Sequence, residues 1–256
     1  MILFNEIIYG PVHSRRLGLS LGVNLLPLDE KICSFDCVYC ECGANTKLHQ
    51  SKIATREDVK KALEEKLKEM ASTSQFPDVI TFAGNGEPTL HPDFEGVIDD
   101  TIKLRNTYCP DAKVSVLTNS TKLHKPHVFN ALKNVDNPIL KFDSAIDRTM
   151  QLIDMPAGKH INVQWLKEQI KRFDGKMIIQ TMFIRGENKG EKFDNTTEEE
   201  INAWLEALTE MGTKEVMIYA LDREAPIKTV EKISIDELNK IAQKARAKGM
   251  KVSVAG

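Results

Sequence analysis

The amino-acid sequence predicts an α/β fold on a parallel sheet. Short β-rich apolar runs alternate with charged segments whose apolar residues recur at helical spacing. No low-complexity linker breaks the alternation, and such alternation places helices between parallel strands. A chain of 256 residues can bury a substantial core, and residues 1–256 are expected to form a single core domain.

Each element follows from a local pattern. Residues 19–26 form the first strand run, and a cysteine-rich loop follows it. Residues 56–70 are charged, with Val59, Leu63, Leu67 and Met70 at helical spacing. Residues 79–83 read as a strand. A helix begins near Pro92 and ends before Cys109-Pro110, because proline disfavours helical geometry in the residue ahead of it. Residues 114–117 are a strand, 126–133 a helix and 139–142 a strand. Residues 165–173 are helical, with Gly175 as a stop. Residues 177–184 make the strongest strand run. Thr197 with Glu200 has the spacing of a capping box and opens a helix carrying Trp204, Leu205 and Leu208. Residues 216–219 are a strand, Ser234 with Glu237 opens a last helix, and residues 252–254 are a short terminal strand. No G-x-G-x-x-G follows a strand, so a Rossmann dinucleotide domain is not expected. Periodicity alone leaves open whether the sheet is flat or curved into a partial barrel.

Composition narrows the function classes. With 35 basic against 37 acidic residues there is no global footprint for nucleic acid, and long duplexes are not expected partners. No apolar run approaches the ~18–20 residues of a membrane span, and the first residues have no basic leader or small-residue cleavage site. The expected location is the cytoplasm.

The chemistry is concentrated in Cys33, Cys37 and Cys40, a C-x3-C-x2-C run. Thiolates this close can wrap three corners of one iron–sulfur cluster and leave one iron without a protein ligand. Structural zinc takes four ligands, and the fourth here would have to be Cys42, His49 or a distant group. Cys42 lies only two residues from Cys40, a poor tetrahedral spacing. Five cysteines and no leader argue against disulfides. Cys42 itself reads as a hydrogen-atom donor, an adventitious ligand or an inert thiol. His91, His124 and His127 read as surface histidines.

In β/α repeats, ligand groups gather at the C-terminal ends of strands. The tips here are polar: Gly84-Asn85-Gly86-Glu87-Pro88-Thr89, Thr118-Asn119-Ser120, Asp143-Ser144, Arg185-Gly186-Glu187 and Ala220-Leu221-Asp222-Arg223-Glu224. Small residues let backbone carbonyls approach a ligand, and a carboxylate such as Glu87 would accept from an ammonium. Ordinary turns and helix caps explain Gly84–Glu87, Thr118, Asn119 and Asp143 equally well in isolation.

The cysteine run, with the aromatic Tyr39 just before its last cysteine, resembles the signature of the radical S-adenosylmethionine (SAM) superfamily. Asn85-Gly86-Glu87 is similar to that family's glycine-glycine-glutamate element, with Asn85 replacing the first glycine. The stretch Tyr9-Gly10-Pro11-Val12-His13-Ser14-Arg15-Arg16-Leu17-Gly18, taken with Gly84–Thr89, resembles the wybutosine-synthesis-like iron–sulfur oxidoreductase subgroup. The resemblance implies a partial (β/α)6 barrel of the radical SAM type. It implies one 4Fe–4S cluster on Cys33, Cys37 and Cys40, and SAM held by Tyr39, Gly84, Asn85, Gly86 and Glu87. Thr118, Asn119 and Asp143 would face ribose or substrate, and Tyr219 the adenine. Flavodoxin or ferredoxin would supply an electron, SAM would be cleaved to a 5′-deoxyadenosyl radical, and that radical would take hydrogen from a substrate. Arg15, Arg16 and Arg223 are candidates for a substrate carboxylate or phosphate. Demethylwyosine synthases carry a second cluster, for which Cys42 and Cys109 are too few. An activating enzyme or maturase acting on a partner protein or peptide, and a non-enzymatic metal-binding module, are the alternative readings.

Overall fold

The computed structural model describes residues 2–14, 17–45, 51–222 and 227–256. Arg15, Arg16, His49 and Arg223 lie outside the described residues. One eight-stranded sheet dominates, ordered β1 (Ile8–Ser14), β2 (Gly18–Val23), β3 (Val79–Phe82), β4 (Lys113–Thr118), β5 (Asn137–Lys141), β6 (Ile178–Met182), β9 (Glu215–Tyr219) and β11 (Lys251–Ala255). From β2 onward every neighbouring pair is parallel, and only β1 runs antiparallel. The sheet curls without closing, with β1 and β11 as its edges, which is the partial barrel expected.

The strands are spaced by α1 (Arg56–Ser72), α2 (Phe94–Tyr108), α3 (Pro126–Asn134), α4 (Asp147–Asp154), α5 (Val163–Lys171), α6 (Glu198–Glu210) and α7 (Ile235–Ala247). Helix residues such as Leu63, Val97, Leu132, Ile170, Leu208 and Leu238 share one buried cluster with Val23, Ile80, Val116, Leu140, Ile179 and Val216 of the sheet. That cluster lies on the convex, helix-covered face. Trp204 is buried in the same cluster and donates from Nε1 to Thr181 Oγ1 at 3.0 Å, so its one polar atom is satisfied.

Register fixes the other, concave face, because side chains alternate along each strand. Thr81, Ser115 and Asn137 stand side by side across β3, β4 and β5. Lys141, Gln180, Met217 and Ser253 form another row across β5, β6, β9 and β11. Between them lie Leu117, Ile139 and Ile178. Ser20 and Thr81 share a 2.8 Å hydrogen bond, and Asn137 Nδ2 donates to Ser115 Oγ at 2.9 Å. A closed β/α barrel fills this space with branched hydrocarbon. Here much of it is polar.

Four differences from the sequence reading have physical causes. The N-terminal stretch forms β1, although Pro11 and a bulge between Tyr9 and Val12 erase its period-two pattern. The run 177–184 is not one strand. The chain leaves the main sheet at Phe183, and Ile184 donates to Asn195 Oδ1 at 2.8 Å, starting a small sheet of β7 (Ile184–Asn188), β8 (Glu191–Asp194) and β10 (Glu231–Lys232). Thr197 caps α6, but the Glu200 side chain turns to Ser144 Oγ at 2.7 Å, while the reciprocal box is Thr55 with Asp58 on α1. His91 is buried, with Nε2 at 2.8 Å from Ala54 O and Nδ1 accepting from Asp93 N, whereas His124 and His127 are exposed as expected.

Candidate metal centre and cofactor site

The cysteine loop leaves the C-terminal end of β2 and is anchored on three sides. On the first, Ile32 pairs with Gly86: Ile32 N donates to Asn85 O and Glu87 N donates to Ile32 O, both at 3.0 Å. Gly86 has φ +132°, and a Cβ there would lie 1.8 Å from Ile32 O, so only glycine fits. On the second, Asn45 spans the loop, accepting from Cys33 N and donating to Cys33 O and Phe35 O at 2.9–3.1 Å. On the third, the C-terminal end of α4 supplies carbonyls: Val38 N donates to Ile153 O and Asp36 N to Asp154 O, both at 2.9 Å.

The Cys33, Cys37 and Cys40 thiols are all partly buried and influence one another electrostatically. Burial pushes the Cys33 thiol up to about 12 and raises Cys37 too. Cys40 moves the other way, to about 6, because Cys42 donates to it and Lys31 lies beside it. Among the described residues, no three His, Cys, Asp or Glu side chains converge as for a single metal ion. Three thiols carried on one loop suit a polynuclear cluster, with each sulfur on its own iron, and that donor set fits a 4Fe–4S group.

Glu87 lies at the centre of a bracket between strand tips. Its carboxylate, 2% exposed, accepts from Thr89 N (3.1 Å), Thr89 Oγ1 (2.5 Å), Thr118 Oγ1 (2.6 Å) and Asn119 N (2.7 Å). Asn119 continues the bracket to the loop, donating from Nδ2 to Ser34 Oγ at 2.9 Å and approaching Cys33 Sγ at 3.5 Å. Thr118, Asn119 and Glu87 thus join the tips of β3 and β4 to the cysteine loop.

Asn85 ties the turn to the N-terminal segment. Its amide donates to Phe4 O and Pro27 O and accepts from Phe4 N, all within 2.8–2.9 Å. This clips down the N-terminal segment, in which Phe4 stacks on Tyr9 and the Tyr9 ring covers Gly22. Gly84 makes room for Asn24, whose Oδ1 accepts from Asn85 N.

Tyr39 and Asp143 meet across the mouth. The Tyr39 hydroxyl donates to Asp143 Oδ2, and Lys141 Nζ donates to both. Lys141 also lies 2.9 Å from Asp154 and 4.5 Å from the centre of the Tyr39 ring. Burial works against the Lys141 charge, but Asp143 and Asp154 outweigh it and hold the ammonium well above its ordinary range. Burial pushes the Asp154 carboxyl up to about 7. Tyr219 packs nearby with Met182 and Leu221. Sequence reasoning missed Lys31, Asn45, Lys141 and Asp154. A lysine two residues before a cysteine run was a visible signal. Asp154 had none, since α4 was not foreseen.

A family model described as the Radical SAM superfamily matches residues 31–193, which contain the loop, the bracket and the Tyr39–Asp143 pair. The chain belongs to the radical SAM superfamily. It is accordingly an enzyme, and its cofactors are a 4Fe–4S cluster and SAM. The UPF0026 protein of Helicobacter pylori is 32% identical over 241 residues, covering 91% of this chain and 72% of that one. A UPF0026 protein of Methanocaldococcus jannaschii is 30% identical over 240 residues, covering 92% and 70%. Among solved structures, a radical SAM methyltransferase from Sphaerobacter thermophilus superposes with a TM-score of 0.66 at 13% identity, over 92% of this chain and 65% of that one. Streptococcus suis SuiB bound to S-adenosylmethionine gives 0.66 at 12% identity, over 92% and 50%. TYW1 with a lysine–pyruvate adduct gives 0.59 at 15%, over 89% and 73%. At these identities the superpositions establish the radical SAM fold. No helix among the described residues is long and apolar enough to cross a membrane.

Proposed function

We propose that Cys33, Cys37 and Cys40 ligate the 4Fe–4S cluster, and that SAM lies across the strand tips between the Gly84–Glu87 turn and the Tyr39–Asp143 pair. The observation that carries this reading is the loop itself: three neighbouring thiols held on the β3 tip by the Ile32–Gly86 bridge. When bound and reduced by a one-electron donor such as flavodoxin or ferredoxin, the two cofactors supply reductive cleavage of SAM and hydrogen-atom abstraction from a substrate.

The chain's own residues bind and orient. Gly84 O already accepts from Gly86 N and Asn85 O from Ile32 N, so we assign the SAM ammonium to the Gly86 carbonyl. Glu87 shapes that turn through its four donors and touches SAM less directly than a free carboxylate would. Asp143 and Thr118–Asn119 are the polar groups facing ribose, and Tyr219 with Met182 offers a flat apolar wall for adenine. Residues 1–256 would work as one catalytic core, with the substrate entering the polar concave face.

The test is anaerobic reconstitution. Cys33→Ala, Cys37→Ala and Cys40→Ala should each lose most iron and the brown chromophore, while Cys42→Ala and Cys109→Ala keep them. Loaded, reduced protein should convert SAM to 5′-deoxyadenosine and methionine, read by chromatography. Stoichiometric zinc with no iron in the wild-type protein would overturn the ligand assignment. Bound SAM without 5′-deoxyadenosine, under every donor tried, would overturn the reaction.

A further inference from the structure

The Lys31 side chain, in the cysteine loop, is 1% exposed. Its Nζ donates to Gly43 O at 2.7 Å and to Asp36 Oδ1 at 2.9 Å, inside the loop that carries the cysteines and two residues before Cys33. Burying an ammonium costs several kcal/mol unless opposite charge repays it. Asp36 repays only part: its side chain is 33% exposed, and the same Oδ1 also accepts from Asn45 N. Besides Asp36, the ionisable groups that interact electrostatically with Lys31 include the Cys33, Cys40 and Cys42 thiols.

We propose that Lys31 is a positioning and tuning residue for the cluster, and that its buried ammonium favours the reduced state. This rests on the ligand assignment made above. Reduction adds one electron to the cluster from an external donor, and no bond to Lys31 forms or breaks. The added negative charge sits beside a fixed positive charge in a weakly screened loop, so the reduced form gains more than the oxidised one. Lys31 and Asp36 therefore act with opposite signs. Losing the ammonium makes reduction harder, and losing the carboxylate makes it easier. A residue that merely braced the loop would not produce opposite shifts at two ends of one ion pair.

The experiment is an anaerobic redox titration of the reconstituted holoprotein, followed by the EPR signal of the reduced cluster. Lys31→Met is expected to shift the reduction equilibrium about tenfold toward the oxidised form, which is about 59 mV for one electron. Lys31→Arg keeps the charge and should restore most of the wild-type value. Asp36→Asn, which preserves an oxygen acceptor for Lys31 and Asn45, should shift the potential upward. If Lys31→Met fails to hold iron, Asp36→Asn and Lys31→Arg still decide the question. A potential unchanged in Asp36→Asn, or lowered as in Lys31→Met, overturns the inference. A wild-type protein with no cluster signal would instead overturn the ligand assignment.

Discussion

Replacing Glu87 by glutamine tests whether this residue is a bracket or a SAM ligand. The wild-type carboxylate takes four hydrogen bonds, two of them from backbone amides at Thr89 and Asn119. Glutamine must turn an NH2 toward one side. Facing it to Asn119 strands that buried amide, at a cost of about 1–3 kcal/mol, and the remaining bonds fall from charge-assisted to neutral strength, together about 1–2 kcal/mol more. Relief of burying a charge offsets that second loss, since burial outweighs the hydrogen bonds and pushes the Glu87 carboxyl up. The net expectation is a loss of about 1–3 kcal/mol from the stranded amide, against a total of about 5–15 for a folded domain. For a chain of 256 residues each kcal/mol lowers Tm by about 2–4 °C, so the variant should melt about 2–12 °C below wild type. The assay is anaerobic thermal unfolding of loaded protein, with SAM affinity measured by calorimetry on the same samples. A variant that melts with the wild type yet binds SAM tenfold more weakly would refute the bracket and place the carboxylate directly on the ligand.

Gly86→Ala should disrupt the Ile32 bridge, lowering stability by about 2 kcal/mol or more and reducing iron per chain, whereas Gly190→Ala, also at positive φ but with open space around it, should leave iron content unchanged. Asn85→Gly restores the family's usual residue but removes the clip on Phe4; we expect about 1–3 kcal/mol of destabilisation and faster amide exchange at Phe4. Lys141→Met leaves Asp143 and Asp154 buried without their cation, and should cost about 3–5 kcal/mol in unfolding experiments. Burial raises the Glu200 carboxyl above its ordinary 4.5, with Thr149 and Ser144 pulling the other way. The fold thus favours its protonated form, and that contribution is full below 4.5 and is lost as pH rises through the raised value. Glu200→Gln is always neutral, so from about pH 5 to about pH 7 its Tm should rise more, or fall less, than that of wild type.

The fold was legible where a single rule governed a stretch. The seven parallel strands announced themselves because both faces of a parallel strand are covered. β1 hid because Pro11 and a bulge break its alternation, and α4 hid because its eight residues are too few for a clear helical period. The cysteines were legible because cluster ligands crowd into one loop. Roles within the site were less so, because a side chain's partner is a tertiary fact. Asn85 could be read as a departure from a motif, but not as a clip on Phe4, 81 residues away. Glu87 could be read as an acceptor, but not as one already occupied by Thr118 and Asn119. Lys141 looked like a strand residue of no consequence until register placed it beside Gln180 and facing Tyr39.

With substrate entering the concave face as proposed above, the hydroxyls and amides there would set what kind of discrimination this enzyme can exercise. Ser115, Thr81 and Gln180 are buried there, and the buried Ser253 hydroxyl has no hydrogen-bond partner among the described residues. A guest entering such a space must give up its own hydration and match these groups atom for atom, and contact area alone would yield little. Hydrocarbon pockets separate guests that differ by a methylene only weakly, whereas a surface built to exchange hydrogen bonds rejects a guest lacking one partner by a far larger factor. Selectivity on this face should therefore depend on the pattern of donors and acceptors a molecule carries more than on its bulk.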